Sequence, residues 1–316
     1  MYNRLTLKER VTHSAEWVEC PVKDCDHRVP RQKKTFKPIN EFLCPTHNIY
    51  LSSTTFEYTD YTSNLLSKDP NDIQLLQKIF KKKRENRLAR SNSEDAVTWN
   101  MFRYLETHNL LESYLRSIGV ENPRHPKIHY WCYDEESQNT YSLLLKARST
   151  FGEKVSRGSE PDLLIETENA IILVECKTGS GNNTTPYSAE VEKLYTQADN
   201  WFFTQVFNAG FYTIAKKDKK YELLRFWLLG LWMAKQKKKE FYLFNLVREE
   251  KERNIEREFG KHLVQGLGTF KRTTWEDMYR FIQRSTSSDQ HIALDYLKNQ
   301  TLGYTSSGKI KMGYKL

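Results

Sequence analysis

An α/β fold is predicted by three stretches of the chain. Residues 158–179 (GSEPDLLIETENAIILVECKTG) hold two short apolar runs, 163–165 and 170–174, joined by the polar turn 166–169, a pattern of paired strands rather than helices. Residues 222–235 form an apolar run of helical length, and residues 241–247 (FYLFNLV) follow as a further strand. Strands interleaved with a long apolar helix call for a sheet covered by helices.

The charges at the end of the second run point to chemistry. Side chains alternate along a strand, so Glu175 and Lys177 share one face while Ile172, Val174 and Cys176 share the other. Charged groups at the end of a buried run cost free energy unless they are paired or hold a metal. Asp162 and Glu175 offer hard oxygen ligands of the kind Mg²⁺ takes, together with water and phosphate oxygens. Lys177 is suited to orient and help deprotonate a water, and to stabilise charge developing on a phosphodiester.

Pro161-Asp162 followed by Glu175-Cys176-Lys177 resembles the motif of the PD-(D/E)xK nuclease superfamily, the restriction-endonuclease-like fold. The resemblance spans roughly residues 91–248. It implies an αβββαβ core with the catalytic residues on the second and third strands, Mg²⁺ or Mn²⁺ as catalytic ion, and the backbone carbonyl of Cys176 in the metal shell. The activity implied is hydrolysis of DNA phosphodiester bonds by an endonuclease, with a restriction or defence role by analogy. The competing reading is a nucleic-acid-binding or effector-recruiting protein on the same fold with an idle motif. RNA stays open as substrate, since no residue is marked as a reader of a 2′-hydroxyl.

Composition agrees with an anionic partner. The 316 residues carry a net charge of +9, with 28% charged and 13% aromatic residues. A sequence pI near 9.1 and a mean hydropathy of -0.73 fit a water-exposed, nucleic-acid-binding chain. No apolar segment follows Met1, and the longest apolar run, 226–234, is too short to span a bilayer, so a cytoplasmic protein without a membrane partner is expected. Five cysteines in such a chain argue for metal binding rather than disulfides.

Three of those cysteines fall in the N-terminal part, expected as a zinc-ribbon-like module over 1–66 ahead of a nuclease domain over 67–316. Cys20, Cys25, Cys44 and His47 have the spacing of a structural Zn²⁺ site closed by four ligands, and Cys44-Pro45-Thr46-His47 is similar to a zinc knuckle. His13 and His27 are rival fourth ligands. The segment has few aliphatic residues and needs such a staple. Its loop 28–37 (RVPRQKKTFK) is locally basic, although 1–66 as a whole carries only nine Lys/Arg against eight Asp/Glu.

Residues 78–90 (KIFKKKRENRLAR) set seven basic residues against Glu85, and a connector helix presenting Lys81, Lys82, Lys83, Arg84, Arg87 and Arg90 to nucleic acid is expected. A long helix over 93–118 follows. Its Glu94 is either an acidic contributor to the metal site, as the resemblance implies, or the partner of Ser91 in a capping box.

Residues 127–133 read as the first strand of the core, paired with 141–145, and Cys132 reads as a buried apolar residue. The loop 178–186 is expected to be flexible, and helix follows from Tyr187 with Leu194, Trp201, Phe202 and Phe203 at apolar positions. Gln197 and Gln205 rank as ordinary surface residues before they rank as phosphate contacts. Basic runs at 216–220 and 235–239 would extend a phosphate-binding rim. Helices near 274–284 and 290–299 close the chain, with dimerisation or cover for the sheet as their open uses.

Overall fold

The computed structural model describes residues 1–316 except 34–35, 84–86, 154–159, 189, 197–200 and 288. Arg84 and Gln197 lie outside the described residues, as does the side chain of Trp201. In chain order the elements are β1 (Trp17–Glu19), β2 (Arg28–Pro30), β3 (Leu43–Cys44), β4 (Ile49–Leu51), β5 (Phe56–Tyr58), α1 (Pro70–Phe80), α2 (Glu94–Thr107) and α3 (Leu111–Ser117). They continue with β6 (Lys127–Tyr130), β7 (Tyr133–Asp134), β8 (Asn139–Thr140), α4 (Ser142–Thr150), β9 (Leu163–Glu166), β10 (Ala170–Cys176), α5 (Glu190–Thr196) and α6 (Trp201–Val206). The last are α7 (Tyr221–Lys237), β11 (Glu240–Val247), α8 (Ile255–Gly260), β12 (Thr269–Thr274), α9 (Trp275–Arg284), α10 (Gln290–Asn299), β13 (Thr301–Tyr304) and β14 (Ile310–Met312).

The chain forms two compact units: residues 1–80, 84–108 and 276–316 make the first, and 81–83 with 109–275 the second. The first therefore joins both ends of the chain. Its β1–β2 hairpin and antiparallel β3-β4-β5 sheet surround a small core of Leu7, Val22, Val29, Ile49, Leu51, Phe56 and the three N-terminal cysteines.

The second unit is mixed α/β, built on a five-stranded sheet in the order β12-β11-β10-β9-β6. β10 runs parallel to β11 and antiparallel to β9, as its hairpin sequence predicts, and all seven of its residues are buried. A parallel neighbour needs a crossover, and α5 to α7 supply it. Ile171 and Leu173 face a core that holds Phe226, Trp227 and Leu231 of α7. Gly230 lets this helix approach, since a Cβ there would lie 2.1 Å from the ring of Phe241.

Several expected elements differ. Residues 141–145 do not pair with β6, which pairs with β9; the segment opens α4, whose Leu144, Ala147 and Arg148 are buried at helical spacing. The first strand stops at Tyr130 because Trp131 and Cys132 take left-handed φ values of 47° and 58°. The helix expected over 93–118 is two, broken after His108 where Asn109 has φ 56°, a usual helix terminator. α1 ends at Phe80, so the basic run is not a continuous helix: after Ile79 no apolar residue recurs at helical spacing to bury another turn. β12 (TFKRTT) went unforeseen because an edge strand carries polar residues on its open side.

The Gly230→Ala protein is expected to lose about 1–3 kcal/mol by overpacking against Phe241, read as a lower urea midpoint with an unchanged slope. Glu166 at the end of β9 accepts hydrogen bonds from Tyr141 (2.6 Å) and Lys239 (2.7 Å), with Lys237 at 3.3 Å. Burial pushes its carboxyl up, but these donors outweigh burial and bring it to about 2. Its stabilisation is therefore complete above the ordinary value of 4.5 and is lost as pH falls toward 2. Glu166→Gln should lower stability at pH 7 by about 1–2 kcal/mol after solvent screening, and flatten the loss of stability on acidification in a denaturant series across pH.

Candidate functional site

Each unit carries one candidate site. In the first, the ligand atoms of Cys20, Cys25, Cys44 and His47 all lie within 4.8 Å of one another. His47, and neither His13 nor His27, completes the group. The β1–β2 hairpin brackets the first pair of cysteines, Cys44 ends β3, and the turn between β3 and β4 carries His47. Cys25 Sγ to Cys44 Sγ is 3.9 Å, and His47 Nδ1 lies 3.5 Å from Cys20 Sγ and 3.6 Å from Cys44 Sγ.

A tetrahedron with bonds of ~2.3 Å to sulfur and ~2.0–2.1 Å to nitrogen has edges of ~3.8 Å between sulfurs and ~3.6 Å between sulfur and nitrogen. Three of the cluster's six edges match those lengths and the rest stay within 4.8 Å, so the group can hold a metal ion such as zinc. Burial pushes the Cys20 and Cys44 thiols up, while the backbone N–H groups of Val22 and His47 pull them down. Thiols so buried ionise favourably only beside a cation.

The second candidate sits at the carboxyl ends of β10 and β11, where the sheet changes from parallel to antiparallel pairing. Crevices outside such strand ends are the usual ligand sites of α/β sheets. Asp162 immediately precedes β9, and its Oδ2 accepts the backbone N–H of Cys176 at 2.8 Å. Glu175 is almost wholly buried and accepts a hydrogen bond from the ammonium of Lys177. The backbone of Lys177 is held on both sides: its N–H donates to Leu246 O at 2.8 Å and its carbonyl accepts from Trp275 Nε1 at 3.2 Å.

Sequence reasoning missed a third carboxylate. Glu222, in the first turn of α7, lies 3.6 Å from Lys177 Nζ. Its place at a helix N-terminus suits an acid in any protein, which hid it. Glu175 and Glu222 thus flank one ammonium, and Asp162 is near enough to Glu175 to act on its charge. Desolvation pushes the Glu175 carboxyl well up; Lys177 opposes this, and Asp162 and Glu222 add to it. A carboxyl in that state gains from a nearby cation. Among the described residues, however, only the Cys/His group draws three or more potential ligands into mutual reach.

A buried ionic network supports this region. Arg225 of α7 donates to both oxygens of Glu153, at 2.9 and 2.6 Å. Arg148 of α4 bonds Glu153 at 3.3 Å and Glu160 at 2.8 Å, and Tyr195 also donates to Glu153. Glu160 directly precedes Pro161-Asp162, and Arg225 is one turn from Glu222, so the network ties both carboxylate-bearing segments to one core. The signal was an arginine inside the apolar run of α7, which calls for a buried partner.

The loop 178–186 is pinned rather than free: Asn182 bonds Asn245 Oδ1 (2.8 Å) and Glu252 (2.7 Å), and Tyr221 N–H donates to Thr184 O. Glu94 opens α2 in the first unit. Ser93, not Ser91, is the N-cap, accepting the N–H of Ala96 at 3.0 Å, so Glu94 is no capping-box partner. Ser91 instead contacts Thr55 Oγ1 at 2.9 Å.

The predicted phosphate contacts are divided. Lys81 and Lys82 are exposed in the second unit, where Lys83 places its ammonium 3.9 Å from the Trp131 ring centroid. Arg87 and Arg90 belong to the first unit, and Arg90 pairs with Glu57 at 3.5 Å. In the two later basic runs, Lys220 bonds Asn183 at 3.0 Å and Lys237 and Lys239 pair with Glu166, so part of each run serves local structure. Among the described residues no helix is long and apolar enough to cross a membrane.

Metal analysis of the purified protein is expected to find one zinc per chain, and Cys44→Ala to lose it together with a lower thermal midpoint, since binding to the folded state is stabilising. Compared with known proteins, the chain matches no family model, no curated protein and no solved structure.

Proposed function

We propose that the chain is a metal-dependent nuclease of the restriction-endonuclease-like type, hydrolysing DNA phosphodiester bonds and carrying a zinc-stapled N-terminal module. The observation that carries this reading is the buried Glu175–Lys177 pair beside Asp162 at the end of a central strand, with Glu222 alongside. A grouping so costly to bury is hard to account for by packing alone. The chain order of the sheet strands β6, β9, β10 and, after α5 to α7, β11 supports the same reading: with β7, β8 and α4 as an insertion after the first strand it fits a βββαβ succession in which Asp162 directly precedes the second strand and Glu175 is on the third.

Asp162 and Glu175 would hold Mg²⁺ or Mn²⁺ through carboxylate oxygens, joined by the Cys176 carbonyl, and the charge excess of three carboxylates over one ammonium fits a divalent cation. Such an ion supplies Lewis acidity at the phosphodiester when bound. Lys177, oriented by Glu175 and Glu222, is placed to position the attacking water and to offset charge that builds on the phosphoryl oxygens. Glu222 acts through Lys177 by fixing its ammonium. A restriction or defence role is the setting this chemistry suggests.

Incubation of plasmid and linear DNA with the purified protein and Mg²⁺ or Mn²⁺ is expected to give cutting that EDTA stops. Lys177→Ala and Asp162→Ala should each reduce the rate by at least about a hundredfold in protein that still melts cooperatively, at a lower midpoint, since each leaves a buried partner unsatisfied. If the variants cut as fast as the wild type, or neither DNA nor RNA is cut, this reading fails.

A further inference from the structure

Four cations scattered along the sequence line one cleft within the first unit. Arg4, Lys23, Lys298 and Lys309 are exposed around a space of about 730 Å³, shared with the carboxylates Glu9 and Asp295. The two ends of the chain build this cleft together. Arg4 N–H donates to Asn299 O, Ile310 N–H to Glu9 O and Val11 N–H to Gly308 O, each at 2.9 Å. Gly308, at φ 79°, sits so close that a Cβ would lie 2.1 Å from Val11 O. Lys23 lies in the chain between Cys20 and Cys25 of the Cys/His cluster, and its Nζ donates to Leu5 O at 2.7 Å. The cations thus stand on backbone anchored by hydrogen bonds.

Their charge is not cancelled locally. Among the described residues Arg4, Lys298 and Lys309 make no ion pair, although Glu9 and Asp295 line the same cleft. Four cations against two carboxylates leave an excess of positive charge in a concave site, where field lines focus. The sequence continues the trend: no acidic residue follows Asp295, whereas Lys298, Lys309, Lys311 and Lys315 do. Cations spread around a space this large suit a ligand with repeated negative charges rather than a single small anion. We propose that this cleft binds the phosphodiester backbone of a nucleic acid, with duplex DNA as the partner it fits. Contacts of this kind position a nucleic acid without reading its sequence. The inference requires no chemistry at Lys177.

The test uses the full chain carrying Lys177→Ala, without added divalent cation, so that cutting cannot disturb the readout. Anisotropy of a labelled DNA duplex is followed over a sodium chloride series. The combined Lys23→Gln, Lys298→Gln and Lys309→Gln protein is compared with one losing the same charge elsewhere, at Lys146, Lys193 and Lys251. The cleft variant is expected to bind roughly tenfold or more weakly and to lose about two to three from the slope of log affinity against log salt; the control should keep nearly the wild-type slope. Lys309→Glu alone, which leaves the rest of the cleft in place, should weaken binding more than Lys309→Gln. Equal losses in cleft variant and control, or an unchanged slope in the cleft variant, overturn the proposal. So does cleft-dependent binding of labelled polyglutamate by a protein that ignores DNA, which would assign an acidic polypeptide instead. A wild type that binds through the cleft but cuts nothing would count against the nuclease reading alone.

Discussion

The burial of β10 on both faces is the constraint from which the second unit follows. A strand without a solvent-facing side must have neighbours on both edges and cover on both faces, because its backbone groups need partners and its apolar side chains need company. β9 and β11 supply the edges, α7 closes one face, and Gly230 brings the helix near enough for Phe241 to fill the gap. A strand so enclosed can end in charged residues only where something compensates them. That is where Glu175 and Lys177 are found.

The compensation is layered. Lys177 satisfies Glu175 directly, Glu222 shares the ammonium, and the Cys176 N–H satisfies Asp162. Behind them, Glu153 gathers Arg148, Arg225 and Tyr195 in an enclosed network; burial pushes its carboxyl up, but Arg225 above all, with Tyr195 and Arg148, outweighs burial and holds it below the usual range. A buried network of this kind contributes less to net stability than to uniqueness of arrangement, since removing one partner leaves another charge stranded. In the proposed nuclease it would keep the segments bearing Asp162 and Glu222 in register.

The first unit solves a different problem. Its three-residue strands and few aliphatic side chains enclose little apolar surface, and a metal ion held by the Cys/His cluster would do there what a larger core does elsewhere. The chain's last hairpin then clasps its first residues through backbone hydrogen bonds. That closure depends on glycines at 303 and 308, where any side chain would collide with the backbone of Thr54 or Val11.

What the sequence determined by itself was local. The β9–β10 hairpin, the helix over 221–237, the strand after it, the helix at 290–299 and the Cys/His spacing were legible because each is set by a periodicity or a short spacing within one stretch. Asp162, Glu175 and Lys177 were readable as a group for the same reason. Where competing local patterns met, the tertiary structure decided: 141–145 is apolar enough for a strand but buries its side chains at helical spacing, and Asn109 ends a helix whose composition would continue. Only the fold could bring Glu222 to Lys177, Arg148 and Arg225 to Glu153, His47 rather than His13 or His27 to the cysteines, and Arg4 to Lys298. Those meetings join residues far apart in the chain, and no local pattern encodes which distant charge will neutralise a buried one.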